Sequence, residues 1–160
     1  MYRLTKTLLL VALSMSFLAA STNASDQVPL KGTFSGQVIS VTPISNEVLL
    51  FGVSLSGIST HLGRFSGEAQ IFQNVVNGSY YGNFSWTAPN GDTVSGSLTG
   101  QLIPTSTPGL SDNIEELTIT DGTGRFSDVT GTAVAGGQLD QNTFSFVFPF
   151  HGTISSAGSK

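Results

Sequence analysis

The sequence predicts an all-β protein whose strands form an antiparallel β-barrel of about eight strands, with a β-sandwich as the alternative. Three observations support this prediction. Apolar and polar residues alternate at period two in most segments beyond residue 30, as in strands with one buried face. Turn signals containing glycine, asparagine or proline separate these segments. The same part of the chain contains no pattern typical of an amphipathic helix.

The individual strands follow from these runs and from the breaks between them. Asn77-Gly78 is a two-residue hairpin signal, and Pro89-Asn90-Gly91-Asp92 predicts a second tight turn. The segment 104–113 has two prolines and no periodicity, so we expect the longest loop there, placed to cover one mouth of a barrel. The predicted strands span 31–42, 47–59, 66–76, 79–87, 94–102, 114–120 and 131–139, and a last one begins at 144.

Aromatic residues at period two indicate which strand faces point inward. In 79–87, Tyr80, Phe84 and Trp86 share one face. Glycines alternate with apolar residues on the inward face of 94–102, which permits the curvature of a small barrel. The last strand carries a stripe that we interpret as core, made of Phe144, Phe146, Phe148 and Phe150.

The N-terminus has the features of a secretory signal peptide. Arg3 and Lys6 precede an apolar run over 8–20 that is shorter than the ~20 residues of a membrane-spanning helix, and we expect cleavage after Ala24. The expected organisation is a signal peptide at 1–24, a short flexible lead at 25–30, a single barrel domain at 31–156 and a tail at 157–160. We therefore expect an exported protein, secreted or periplasmic, without stable membrane insertion after cleavage.

Composition excludes several functions. The chain has no cysteine, so it forms no disulfide and no thiolate metal site. Two of its six Lys and Arg residues lie in the predicted signal peptide, whereas all ten carboxylates lie beyond it. Nucleic acid is therefore not an expected partner, because phosphate binding needs clustered cations. A small outer-membrane barrel is disfavoured, because Ser, Thr and Gln lie opposite the apolar strand faces.

Glycine-rich segments carry a resemblance to a known superfamily. Gly122-Thr123-Gly124-Arg125-Phe126 and Thr130-Gly131-Thr132 resemble a turn of the allene oxide cyclase and dirigent barrels. Together with Thr60-His61-Leu62-Gly63-Arg64-Phe65 and Asn90-Gly91-Asp92, they resemble uncharacterised bacterial secreted proteins expected to share that barrel. The resemblance implies the fold and a homo-oligomer, and it places no catalytic residue of the superfamily on this chain.

A few residues are candidates for chemistry. His61, beside Glu68, is a candidate for proton transfer, although a turn histidine bonded to backbone is the favoured interpretation. Arg64 and Arg125 occupy equivalent places in two Gly-Arg-Phe-Ser segments, where they either pair with carboxylates or hold an anionic ligand at a barrel mouth. Tyr80 and Trp86 are candidate ligand-binding aromatics.

The remaining titratable residues do not form recognisable sites. His61 and His151 lie too far apart in sequence for a recognisable metal motif with Asp92 or Asp121, so no metal is expected. Glu115-Glu116 is interpreted as a solvated strand end. No nucleophile elbow, phosphate loop or dinucleotide motif is present, so no cofactor is expected either.

Two functions are compatible with these features. The first is non-enzymatic binding of a small apolar or anionic ligand, or of a surface partner, through an aromatic-lined mouth. The alternative is an enzyme of the cyclase or dirigent type, which steers a reactive intermediate by shape and leaves little sequence signature. An interior cavity with aromatics and with His61, Arg64 or Arg125 at its mouth would support either, whereas a barrel filled by its own side chains would exclude both.

Overall fold

The computed structural model describes residues 26–155, which form one closed antiparallel barrel of eight strands in sequence order. β1 pairs with β2 on one side and with β8 on the other, which closes the sheet. The predicted barrel is therefore confirmed, and the sandwich alternative is wrong. The strands are β1 (Gln27–Pro43), β2 (Val48–Ser59), β3 (Gly63–Asn74), β4 (Ser79–Thr87), β5 (Thr93–Pro104), β6 (Leu110–Gly122), β7 (Gly131–Asp140) and β8 (Ser145–Ser155).

Two strands extend furthest beyond their predicted starts. β1 begins at Gln27, so residues 27–30 belong to the barrel and not to a flexible lead; Leu30 is fully buried and the segment pairs with β8. β6 begins at Leu110, so the loop expected over 104–113 is limited to 105–109. Both segments are held by hydrogen-bonded pairing with neighbouring strands. This pairing joins residues distant in sequence, so the periodicity of a short segment does not predict it. The predicted signal peptide and C-terminal tail lie outside the described residues.

The two ends of the barrel differ in how they are filled. We call the end with the turns at 60–62, 88–92 and 123–130 the closed end, and the end with the turns at 44–47, 75–78, 105–109 and 141–144 the open end. At the closed end the chain inserts apolar side chains from its turns as well as from its strands. Leu62, Phe126, Val129 and Ile154 are almost fully buried there.

A short 3₁₀ helix, Gly124–Phe126, positions Phe126 in this closed end. Asp92 fastens the helix to the preceding hairpin turn: its carboxylate accepts bonds from Asn90 Nδ2 at 2.7 Å and from the backbone N–H of Arg125 at 3.2 Å. Gly124 has a φ of 59°, and a Cβ there would overlap the Asp92 carboxylate. The glycine therefore permits both the turn and its anchor.

No helix within residues 26–155 has the length and apolar character needed to cross a bilayer.

Candidate functional site

A cavity of about 380 Å³ occupies the open half of the barrel. Val75, Gln141 and Phe144 border it, and they belong to turns of the open end. This volume lies within the ~300–1,000 Å³ range of small-molecule sites. Six of the aromatic side chains in its wall are Phe34, Phe51, Phe84, Trp86, Phe146 and Phe148.

The wall carries a polar cluster that we call the Tyr80 cluster, made of Tyr80, Asn113 and Glu115. The Tyr80 hydroxyl oxygen lies 2.7 Å from Asn113 Oδ1 and 2.9 Å from Glu115 Oε2. All three residues are buried, and all three line the cavity. The cluster gives an otherwise apolar cavity one place where a ligand can form hydrogen bonds.

Gly100 makes the Tyr80 cluster possible. On β5 it pairs with Tyr80 of β4 on one side and with Glu115 of β6 on the other. A Cβ at Gly100 would overlap the Tyr80 ring carbon Cζ and its hydroxyl. The absent side chain therefore lets the Tyr80 ring pass across β5 so that its hydroxyl reaches β6.

Burial changes the acid-base properties of this cluster. Glu115 is only 6% exposed, and burial raises the pKa of its carboxyl from 4.5 to about 7, against a smaller opposing effect of the bond with Tyr80. Burial, followed by the nearby Glu115 charge, raises the pKa of the Tyr80 hydroxyl well above its usual range. At neutral pH, Tyr80 is therefore un-ionised, and Glu115 is populated in both forms.

The interpretation of Glu115-Glu116 as a solvated strand end is wrong for Glu115. Glu116 is exposed, whereas Glu115 points into the barrel on the same face as Leu117 and Ile119. Sequence reasoning also missed Asn113, which lies on that face. The alternation of inward and outward residues could have identified them. If Leu117 and Ile119 point inward, the period of two places Asn113 and Glu115 inward as well.

The other predicted site residues divide between the two ends. Tyr80 and Trp86 line the cavity. Arg64 and Arg125 lie at the closed end, and not at the cavity mouth where the interpretation as anion-binding residues would put them. The reason is topological: the turn before β3 and the turn after β6 both fall at the end that side chains fill.

His61 and Glu68 do not form an acid-base pair around the cavity. His61 lies in the closed-end turn with a φ of 70°, and its Nε2 is 3.0 Å from the carbonyl oxygen of Pro29. This is the favoured interpretation, a turn histidine bonded to backbone. Glu68 is exposed on β3, where the inward positions belong to its neighbours Gly67 and Ala69.

Arg125 pairs with a carboxylate, as one of the two arginine interpretations proposed. Its Nε lies 3.8 Å from Asp92 Oδ2, and its guanidinium carbon lies 4.7 Å from the centre of the Phe126 ring. The contacts tie the turn to the closed end. His151, the other histidine, is exposed on β8. Among residues 26–155, no group of three or more His, Asp or Glu side chains is arranged to hold a metal ion.

Two buried N–H donors in the cavity wall lack a hydrogen-bond partner among the described residues, Asn113 Nδ2 and Trp86 Nε1. Buried polar groups in native proteins are nearly always paired, so each such donor calls for an explanation. Aromatic rings surround Trp86, with the Phe65 and Phe84 centres 4.9 Å from its own, and a ring face is a weak acceptor. A bound molecule could satisfy Asn113 Nδ2 once this side chain turns toward the cavity that Asn113 lines.

No family model matches the chain, and no curated protein matches it. Among solved structures, the chain is similar to a pterocarpan synthase dirigent protein, with 16% sequence identity and a TM-score of 0.49. The match covers 89% of this chain and 96% of that chain. The barrel assignment made above rests on the strand pairing and not on this similarity.

Proposed function

We propose that this protein binds a small, mainly apolar molecule inside the barrel, without converting it. The cavity of about 380 Å³ carries the proposal. Packing favours filling such a volume with side chains, as at the closed end, and a volume this large left unfilled costs stability. Aromatic walls with one polar cluster are the usual composition of a site that holds an apolar body and orients one polar group.

The charges around the cavity favour an uncharged or cationic ligand over an anionic one. Among the described residues, no Lys, Arg or His side chain lines the cavity, and Glu115 is the one carboxyl group in its lining. An anion buried there would lose its hydration without gaining an opposite charge and would be repelled by an ionised Glu115. Arg64 and Arg125, at the closed end, are too far from the mouth to compensate.

We also propose that the protein acts outside the cytoplasm. The proposal is supported by the sequence of residues 1–24, where a positive start is followed by an apolar run and small residues.

Binding is tested with N-phenyl-1-naphthylamine, an uncharged dye that fluoresces strongly in apolar surroundings. Ala69 is buried in the cavity wall, and its neighbour Gln70 is exposed on the outer face of β3. We expect saturable fluorescence enhancement with the wild type, at least about tenfold weaker binding after Ala69→Leu because the larger side chain occupies the cavity, and unchanged binding after Gln70→Leu. No enhancement with the wild type, or equal binding by both variants, would contradict the proposal.

The alternative is an enzyme of the cyclase or dirigent type, and one observation favours it. A carboxyl whose pKa is about 7, beside a hydroxyl in a largely apolar cavity wall, can give and take a proton near neutral pH. This function would be indicated by conversion of a bound compound that is lost in Glu115→Gln although the compound still binds. Binding without conversion supports the first proposal.

A further inference from the structure

We infer that the cavity selects its ligand by charge through the proton on Glu115. With that proton in place, the site takes an uncharged molecule bearing a hydrogen-bond acceptor, such as a ketone. With the proton released to solvent, the site takes an organic ammonium ion. The inference rests on the proposed binding function and names the two ligand classes of the same site.

A hydrogen count at Tyr80 defines the two forms of the cluster. The Tyr80 hydroxyl has one hydrogen but lies within hydrogen-bond distance of two oxygens, Asn113 Oδ1 at 2.7 Å and Glu115 Oε2 at 2.9 Å. When Glu115 is protonated, its O–H donates to the Tyr80 oxygen and Tyr80 donates to Asn113. Both short contacts then contain a hydrogen with the Asn113 amide in its present orientation, so the two distances fit the neutral acid.

In the neutral form, one hydrogen-bond donor of the cluster has no acceptor. Asn113 Nδ2 is buried without a partner among the described residues, and Asn113 lines the cavity. An unpaired buried N–H lowers stability, and a ligand carbonyl or ether oxygen that reaches it removes this cost. An ammonium group brings only further donors, so the neutral form disfavours it.

Ionisation reverses the hydrogen-bonding character of the cluster. Tyr80 then donates to the Glu115 carboxylate, because a bond to a charged acceptor is the stronger one. Asn113 keeps its bond with Tyr80 only if its amide turns so that Nδ2 donates to the hydroxyl oxygen. The turned amide and the carboxylate are both acceptors, which suit the N–H donors of an ammonium ion, and the aromatic wall adds cation–π attraction.

The described residues around Glu115 contain no second charge to mask this change. Glu115 pairs with Gly100 of β5 and with Ala135 of β7, and from β4 the one titratable group that faces it is Tyr80. The pKa of Tyr80 is raised, so this hydroxyl stays neutral while Glu115 titrates. The other buried or half-buried residues of β5 and β7 beside Glu115 cannot ionise: Leu98, Leu102, Ala133 and Gly137.

The inference is tested with a matched pair of probes, 4-phenylbutan-2-one and 4-phenylbutan-2-amine. The first carries a ketone where the second carries an ammonium group. Their affinities are measured at pH 5.5 and 8.5 by displacement of N-phenyl-1-naphthylamine, calibrated at each pH. With the pKa of Glu115 at about 7, we expect the amine to bind up to about 30-fold more tightly at pH 8.5, and the ketone more tightly at pH 5.5.

Glu115→Gln should hold the cluster in its neutral form, because a glutamine amide can donate to Tyr80 as the protonated acid does. In this variant the ketone should bind at both pH values, and the amine should lose its gain. The control is Glu116→Gln, an exposed neighbour on the same strand, which should behave as the wild type.

The opposite pH trends of the two probes in the wild type decide the inference even if Glu115→Gln fails to fold. Binding of both probes with no pH dependence overturns the inference and leaves the proposed function intact. The same is true if the pH trends survive in Glu115→Gln. If neither these probes nor the dye binds at either pH, both the inference and the proposed function fail.

Discussion

The closed and open ends of this barrel are built from the same eight strands. Side chains fill the interior at the closed end, whereas a cavity remains at the open end. At the closed end, turns contribute Leu62, Phe126 and Val129 to the core. At the open end the turns border a cavity, and the strands place an acid and an amide in its wall. The difference suggests that stability is concentrated at one end, which leaves the other free to carry groups that cost stability.

Replacing one phenylalanine at each end gives the largest contrast. Phe126 is 1% exposed at the closed end, and Phe144 is 42% exposed at the cavity mouth. We expect Phe126→Ala to lower the free energy of unfolding by about 3–5 kcal/mol, and Phe144→Ala to lower it by less than about 1 kcal/mol. Urea unfolding of both variants measures the two values. Equal losses would mean that the two ends contribute alike to stability.

The next largest effect is the pH dependence imposed by Glu115. Its pKa is higher in the folded state, about 7 against 4.5, so the folded state holds this proton more tightly. The wild type should therefore lose stability as pH rises from about 4.5 to 7 and remain lower above that, by about 3 kcal/mol at most. Glu115→Gln should remove this loss: it should match the wild type at pH 4 and exceed it at pH 9.

Thermal or urea unfolding of the Glu115→Gln protein at pH 4 and pH 9 measures the loss. The exposed neighbour provides the control, because Glu116→Gln removes the same charge from the outer face of the same strand. If both variants change stability equally at pH 9, the effect belongs to net charge and not to the buried acid.

The smallest expected effect is at the arginine of the closed end. Arg125 is exposed, and its ion pair with Asp92 is long, so Arg125→Gln should cost less than about 1 kcal/mol. Its affinity for N-phenyl-1-naphthylamine should equal that of the wild type, because the cavity lies at the other end of the barrel. A tenfold loss of dye affinity would show that the two ends are coupled.

Alternation located the strands where clear turn signals bounded it. β4 spans Ser79–Thr87 as predicted, because aromatic alternation lies between Asn77-Gly78 and the turn at 89–92. The start of β6 was missed because Ser111 and Asn113 are polar although they face inward. Local patterns assign such residues to loops, and only pairing with β5 and β7 shows that they belong to a strand.

The location of the site depended on information that no local pattern contains. The same tetrapeptide, Gly-Arg-Phe-Ser, starts strand β3 at Gly63 and forms a 3₁₀ helix at Gly124. Phe65 and Phe126 are both buried, so the phenylalanine of this tetrapeptide enters the core in either local structure. Which end of the barrel they fill follows from the packing of all eight strands, so no local pattern decided between the two interpretations of the arginines, carboxylate pairing and an anion site at the mouth.

The position of Trp86 has a practical consequence. It is the single tryptophan of the chain, and it forms part of the cavity wall among Phe34, Phe65, Phe84 and Phe150. The tryptophan fluorescence of the protein therefore comes from one known position, the Trp86 indole in the cavity wall. Occupancy of the cavity is expected to alter the spectrum of this indole directly, so the unmodified protein carries its own optical reporter for whatever enters it.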